Sequence, residues 1–250
     1  MTETLGTKDR RTELANAFAA LGARISRAAE KAGRKVQEIE LLPITKFFPA
    51  TDVAILSSLG CTAFGESRDQ EASAKVAALA DELPSGMRWH MVGQIQRNKA
   101  RSIAVWADVA HSVSTARVAV ALDRAVGQAR AVGQRTDPMG VYVQISLDGD
   151  ISRGGIDVKD PAAIDDLCAQ IDAAEGLQFV GLMGVPPLGA EPEAAFARLD
   201  LERQRVQGLY QQRLGLSAGM SDDLEAAVKH GSTCLRVGTA LLGPRPITSP

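Results

Sequence analysis

Met139-Gly-Val-Tyr-Val-Gln-Ile-Ser146 decides the fold, because it is the clearest β-strand in the chain. Its β-branched and aromatic residues are typical of a buried strand. A helical stretch follows from about Pro161 to Ala174, and a second apolar run, Leu177-Gln-Phe-Val-Gly-Leu-Met-Gly184, comes after it. A strand, a helix and a strand in this order predict two parallel strands joined by a right-handed crossover.

The same alternation continues in both directions along the chain. Eight short apolar runs are found, at about 39–45, 61–65, 88–93, 108–113, 139–146, 177–184, 215–218 and 234–238. Helical stretches between them are predicted at about 50–59, 68–81, 96–105, 161–174, 193–213 and 222–230. A further long helix is predicted after the fourth run and ends at about 132. Eight such units in 250 residues fit a closed (β/α)8 (TIM) barrel of α/β class better than an open doubly wound sheet.

An extra N-terminal helix is predicted within residues 1–35, ahead of the barrel. Four apolar residues recur at steps of four, three and four on one face: Leu14, Phe18, Leu21 and Ile25. Gly33 would end this helix. No linker or charge run marks a second domain, so we expect one domain over residues 1–250, with 244–250 as a disordered or draped tail.

Composition excludes several classes of protein. The 28 Lys and Arg against 30 Asp and Glu give a net charge of −2, which argues against a generally basic nucleic-acid surface. Three distant cysteines without a CxxC pair argue against structural zinc and a disulfide framework. The first residues lack the apolar core of a signal peptide, and no run approaches the ~18 apolar residues of a membrane span. A cytoplasmic protein is expected.

Lys46 is the most informative residue at the predicted strand ends, where barrels of this kind carry their chemistry. Among eight lysines it alone ends a strand, and Phe47 and Phe48 follow it directly. An amine among apolar groups loses hydration, which favours the free nucleophile and suits a Schiff base with an aldehyde or ketone. The alternative is a lysine whose stem packs on the barrel rim while its amine reaches water.

Two neighbouring loops predict an anion site. The eighth strand ends at Gly238-Thr239, where backbone N–H groups can approach an anion closely. The seventh ends in Ser217-Ala-Gly-Met-Ser221, and Ser221 also has the position of the N-cap of the next helix. The loops after strands seven and eight often bind phosphate in this architecture. Ordinary turn chemistry is the alternative reading.

Two further residues leave alternatives open. Arg236 shares a strand face with Gly238, and it could pair with an interior carboxylate such as Glu66 or face the ring nitrogen of a cofactor. In the second case it would keep a pyridine nitrogen unprotonated. His90 lies within a strand, where a core role is more common than a functional one. No HxH or HExxH spacing supports a metal site.

These residues in this order resemble the pyridoxal 5′-phosphate (PLP) homeostasis protein family, whose members look like the barrel half of alanine racemase. The similarity extends from about residue 10 to 245. It rests on these segments: Leu42-Pro-Ile-Thr-Lys46, Phe64-Gly-Glu66, Trp89-His-Met-Val-Gly93, His111-Ser112, Gln144-Ile145, Ser152-Arg-Gly-Gly155, Gly181-Leu-Met183, Leu216-Ser-Ala-Gly-Met-Ser-Asp-Asp223 and Arg236-Val-Gly-Thr-Ala240.

The resemblance implies a covalent site for PLP. It implies that Lys46 holds the cofactor as a Schiff base and that Arg236 lies near the pyridine nitrogen. Five residues are implied as phosphate contacts through side chain or backbone: Ser217, Met220, Ser221, Gly238 and Thr239. Ser67, His90 and Met183 complete the predicted cofactor-binding set. Two positions depart from the family pattern: Ser67-Arg68 replaces Asn then Tyr, and Phe47-Phe48 replaces a polar residue then Lys.

The function implied is a PLP-binding protein of intracellular vitamin B6 homeostasis, without a dedicated catalytic reaction. A monomer is expected, with PLP-dependent apo-enzymes as transient recipients and with no nucleic-acid or membrane partner. One alternative is a weakly active PLP-dependent amino-acid racemase, although neither tyrosine, Tyr142 or Tyr210, is predicted at the barrel mouth. Another is a class I aldolase in which Glu66 would serve as acid or base.

Overall fold

The computed structural model describes residues 2–245, with side chains from Asp9 onward. Nine strands are present in this part: β1 (Glu40–Pro43), β2 (Ala63–Glu66), β3 (Arg88–Met91), β4 (Val109–Val113), β5 (Met139–Ser146), β6 (Ile156–Asp157), β7 (Leu177–Gly184), β8 (Gly215–Ser217) and β9 (Cys234–Val237). The helices are α1 (Thr2–Lys31), α2 (Ala50–Ser58), α3 (Asp69–Leu79), α4 (Ala100–Trp106), α5 (Ala116–Ala131), α6 (Pro161–Asp172), α7 (Pro192–Gln207), α8 (Leu224–Lys229) and α9 (Thr239–Leu242).

The strands form a closed parallel barrel. The sheet order is β1-β9-β8-β7-β5-β4-β3-β2, and a parallel bridge between Ile44 and Gly65 joins the two ends of that order. Two-residue β6 pairs only with β5 and lies outside the ring. The predicted (β/α)8 barrel is therefore confirmed, and the carboxyl ends of all eight barrel strands open at one mouth.

The extra helix α1 completes the outer wall. The last barrel helix, α9, has only four residues, which is too short to cover its share of the barrel. Helix α1 packs against α2, α8 and α9, so it covers the gap beside α9. Arg10 of α1 donates to the buried Asp52 carboxylate of α2 at 2.7 Å and to the Leu242 carbonyl of α9 at 3.0 Å. These contacts fix α1 at the place where the ring of helices is incomplete.

Local differences from the sequence expectations have local causes. Helix α7 ends at Gln207, six residues before the expected end at 213, because the Gln207 side chain bonds a non-helical turn. Its amide nitrogen donates to the carbonyls of Tyr210 and Gln212, and its oxygen accepts from the Leu214 N–H at 2.7 Å. The short elements α9 and β6 were not predicted. A disordered or draped tail was predicted at 244–250, and residues 246–250 of it lie outside the described part of the chain.

No helix within residues 2–245 is long and apolar enough to cross a membrane. In the same part, no group of three or more His, Cys, Asp or Glu side chains is placed to hold a metal ion.

Candidate functional site

A cavity of about 370 Å³ lies at the carboxyl ends of β1, β7 and β9 and the loop after β8. Seven of the ten predicted site residues line it: Lys46, Met183, Met220, Ser221, Arg236, Gly238 and Thr239. Phe48, Val92 and Val185 supply much of its apolar wall. The fold thus brings the predicted amine and the two predicted anion loops into one pocket, which we call the mouth pocket.

Lys46 is half-buried in the mouth pocket. Desolvation lowers the pKa of its amine, the positive charge of Arg245 lowers it further, and the carboxylates of Glu66 and Glu71 oppose the shift. Arg245 lies in the region expected to be a loose tail, yet its side chain lines the same pocket. The surroundings of Lys46 therefore favour the neutral, nucleophilic amine.

The backbone that presents Lys46 is strained at the next residue. Phe47 has a φ of 69°, the only positive φ of a non-glycine residue in the described chain. Its N–H donates to the Glu71 carboxylate at 2.6 Å, which holds this conformation. The guanidinium carbons of Arg68 and Arg245 lie 4.8 Å and 5.2 Å from the centre of its ring. Strain of this kind is common where a functional side chain must be aimed.

A buried ion pair supports the same turn, and no sequence pattern had indicated it. The Lys75 amine donates to the Glu66 carboxylate at 2.6 Å and to the Thr45 carbonyl at 2.9 Å. The Thr45 hydroxyl donates to the same Glu66 oxygen at 2.7 Å. Burial raises the pKa of Glu66, and the Lys75 cation opposes that rise. Glu66 is therefore committed to Lys75 and Thr45, and it does not pair with Arg236.

The anion loops meet at the start of α9. The Ser221 hydroxyl accepts a hydrogen bond from the Ala240 N–H at 3.0 Å. Ser221 is therefore not the N-cap of α8, as the sequence predicted; Asp223 holds that position. Within residues 2–245, the N–H groups of Gly238 and Thr239 donate no hydrogen bond. A Cβ on Gly238 would meet only ordinary contacts with Ile44, so the packing of the protein does not by itself require a glycine at this position.

Arg236 enters the mouth pocket from the barrel interior, where a polar chain holds it. Its guanidinium donates to the Ser217 hydroxyl at 2.5 Å and to the Gly184 carbonyl at 3.0 Å. Ser217 in turn bonds His111 at 2.8 Å, and His111 bonds His90 at 2.9 Å. Burial lowers the pKa of both imidazoles, that of His90 to about 3, so both are neutral. The arginine keeps its charge with no carboxylate beside it in the described structure.

Three predicted residues lie next to the mouth pocket and do not line it. Ser217 and His90 are buried beneath it, in the series of hydrogen-bonded side chains that holds Arg236. Ser67 lines a neighbouring groove of about 860 Å³, together with Phe47, Arg68 and Lys99. Sequence reasoning missed Arg245 because a terminal tail gives no indication of where it folds back. It missed Lys75 because a buried lysine on a helix has no distinguishing pattern.

The geometry defines a class of protein: a (β/α)8 barrel with a half-buried lysine of lowered pKa and two loops with unbonded backbone N–H groups at its mouth. Residues 18–246 match the family model described as alanine racemase, N-terminal domain. A relative from Mycobacterium tuberculosis strain H37Rv, named pyridoxal phosphate homeostasis protein, is 61% identical over 97% of this chain and 96% of its own. A relative of the same name from Corynebacterium glutamicum is 46% identical over 90% of this chain and 99% of its own.

A solved structure agrees with these relatives. PipY of Synechococcus elongatus PCC7942 with PLP bound has 33% identity and a TM-score of 0.76, and the match covers 92% of this chain and 100% of that one. The chain belongs to the family of pyridoxal phosphate homeostasis proteins.

Proposed function

We propose that this protein binds PLP as a carrier in vitamin B6 homeostasis, with Lys46 as the amine that bonds covalently to the cofactor. The observation that carries the proposal is the mouth pocket, in which a desolvated amine and two orphan N–H donors share one cavity. Bound PLP would supply an aldehyde for the amine and a phosphate for the donors. Sugar phosphates also carry a carbonyl and a phosphate, and the solved relative with PLP bound favours PLP among these molecules.

Each part of the mouth pocket has a separate task in this proposal. The N–H groups of Gly238 and Thr239, together with Ser221, hold the phosphate. Arg236 faces the ring nitrogen and, because it cannot release its proton, keeps that nitrogen unprotonated. Met183 and Met220 close the apolar sides of the pocket. Ser217 and His90 position Arg236 through the interior chain.

The pocket favours a carrier over a racemase or an aldolase. Racemisation needs a second group opposite the lysine to move a proton. Tyr142 is buried in the barrel interior, where burial raises its pKa, and Tyr210 packs against Phe179 away from the mouth. Glu66, the acid required for an aldolase, is fully buried in its pair with Lys75. We therefore propose no dedicated reaction, and a cytoplasmic monomer that passes PLP to apo-enzymes.

Visible spectroscopy with site mapping tests the proposal. The purified protein is titrated with PLP beside Lys46→Ala and a control, Lys35→Ala, which removes an exposed lysine far from the barrel mouth. We expect a visible band in the parent and the control that Lys46→Ala abolishes. After borohydride reduction, mass mapping should place the pyridoxyl group on Lys46. A parent that stays colourless at saturating PLP, or a label on another lysine, would overturn the assignment.

A further inference from the structure

A second groove lies on the outer wall of the barrel, between α4 and α5. It has a volume of about 660 Å³ and is lined by Arg97, Arg101, Arg117 and Arg124. All four arginines are exposed. We call it the arginine groove. Nothing in the mouth pocket or its chemistry uses it.

These four arginines differ from most of the others in lacking partners. Most arginines among residues 9–245 donate to a carboxylate, a carbonyl or a hydroxyl, as Arg10 does to Asp52 and Arg198 does to Leu147. Arg68 and Arg245 lie over the Phe47 ring. In that part of the chain only five arginines have no hydrogen bond, ion pair or ring contact, and four of them line the arginine groove. The fifth is Arg27 on α1.

No carboxylate near the arginine groove is free to neutralise it. Helix α4 contains no acidic residue, and the one acid of α5 is Asp123. The Asp123 carboxylate does not line the arginine groove, and it accepts from the Gly176 N–H at 2.8 Å. Four like charges around one groove repel one another, and an anionic occupant would relieve that repulsion. The groove is cationic although the whole chain carries a net charge of −2.

The shape and floor of the groove indicate an elongated, partly apolar occupant. From Arg117 to Gln128 the α5 side extends about 16 Å at a rise of ~1.5 Å per residue, which is three helical turns. Small residues form the floor, among them Ala100, Ala121 and Ala125. Val120 stands beside them with 54% of its surface exposed. A compact anion would contact only part of this length, and the described lining offers no aromatic ring on which a nucleic-acid base could stack.

We propose that the arginine groove docks an acidic amphipathic helix of a partner protein. The apolar side of such a helix would lie on the alanine floor and Val120, and its carboxylates would pair with the four arginines. The turn at 97–99 joins this groove to the barrel mouth, because Gln96 and Lys99 line the groove beside Phe47 and Arg68. A docked partner would therefore sit next to the pocket opening. The docking surface does not depend on which ligand that pocket holds.

Fluorescence anisotropy with a designed peptide tests the proposal. The probe is a labelled 14-residue helix with leucines at positions 1, 4, 8 and 11 and glutamates at its flanks. We expect it to bind the full chain, and Arg117→Glu and Arg124→Glu each to weaken binding at least tenfold. The matched control is Arg27→Glu, which reverses a partnerless exposed arginine elsewhere and should change binding less than twofold. Circular dichroism verifies that each variant is folded.

Two further measurements separate the proposed occupant from others. Val120→Asp should weaken peptide binding, since the apolar floor contributes to it. A labelled single-stranded 14-mer DNA that binds more tightly than the peptide would overturn the choice of a protein partner. A concentration-dependent dimer in sedimentation that Arg117→Glu abolishes would make the occupant a second copy of this chain. Equal peptide binding by the parent and both groove variants would overturn the site.

Discussion

At the residue scale, the environment of Lys46 separates it from the other seven lysines. The sequence placed it at a strand end, and the structure adds the groups that adjust its charge. Desolvation is the largest cause of its lowered pKa, followed by the positive charge of Arg245. Arg245 thus lowers the pKa of the amine across the mouth pocket. The sequence could not indicate this, because the two residues are 199 positions apart and meet only when the chain folds.

Replacing Arg245 should move the pH dependence of the reaction with PLP. The neutral amine reacts, and its fraction rises as pH passes upward through the pKa of Lys46. Arg245→Met removes a cation that lowers this pKa, so the pKa rises and the rate profile moves to higher pH. Stopped-flow absorbance across a pH series measures the profile, with Arg27→Met as the control. A profile that stays in place or moves to lower pH would contradict the role given to Arg245.

At the element scale, the eight barrel strands were predicted from their apolar runs, whereas α9, β6 and the end of α7 were not. Strands β5 and β7 have the predicted ends, since eight residues of continuous apolar sequence leave little ambiguity. Helix α9 and strand β6 are shorter than any periodicity can reveal. Helix α7 ends early because a side chain, rather than a glycine or proline, bonds the turn. Hydrogen bonds specific to the fold therefore decide the ends of elements that have weak signals.

The attachment of α3 to β2 rests on the buried Lys75–Glu66 pair. Lys75→Met should destabilise the fold by about 3 kcal/mol or more, because it leaves a buried carboxylate without its cation. The double variant Glu66→Gln/Lys75→Met should recover part of that loss. Urea unfolding at 25 °C measures both. A single variant as stable as the parent would contradict the structural role of this pair.

The stability of Lys75→Met relative to the parent should decrease as pH rises. Burial already raises the pKa of Glu66 above its ordinary value of 4.5, and loss of Lys75 removes the main opposing effect. An acid whose pKa is raised in the folded state stabilises that state below its unfolded pKa, and this stabilisation is lost as pH rises through the folded value. Lys75→Met should therefore be less stable relative to the parent at pH 8 than at pH 5. The double variant lacks the carboxylate and should lose this dependence.

At the scale of the whole molecule, the barrel closes through a narrow contact. The bridge between Ile44 and Gly65 is the only pairing of β1 with β2 in the described structure. A Cβ on Gly65 would lie 2.5 Å from Cδ1 of Ile44, inside van der Waals contact. The glycine therefore lets the two ends of the sheet approach. This requirement concerns the closed barrel and has no counterpart in the isolated strand.

Gly65→Ala should destabilise the barrel by about 1–3 kcal/mol through overpacking. Ile44→Val removes the Cδ1 atom that the new methyl group would contact, so the double variant should cost less than the sum of the two single changes. Urea unfolding of the four proteins completes a double-mutant cycle. Gly22→Ala serves as the control, since a Cβ there meets no atom within 4 Å. If the free-energy changes of Gly65→Ala and Ile44→Val were strictly additive, they would contradict the contact between these two residues.

The sequence by itself determined the barrel, the extra helix and seven of the residues that line the mouth pocket. It could do so because hydrophobic periodicity and strand-end position are local properties, and the resemblance rests on contiguous segments. Only the tertiary structure decided which groups meet: Arg245 over the mouth pocket, Lys75 under Thr45, and Ser217 and His90 behind Arg236. It also gathered four partnerless arginines from two helices and an adjacent turn into one groove. These juxtapositions depend on how the strands close into a ring, because closure brings together residues that are far apart along the chain.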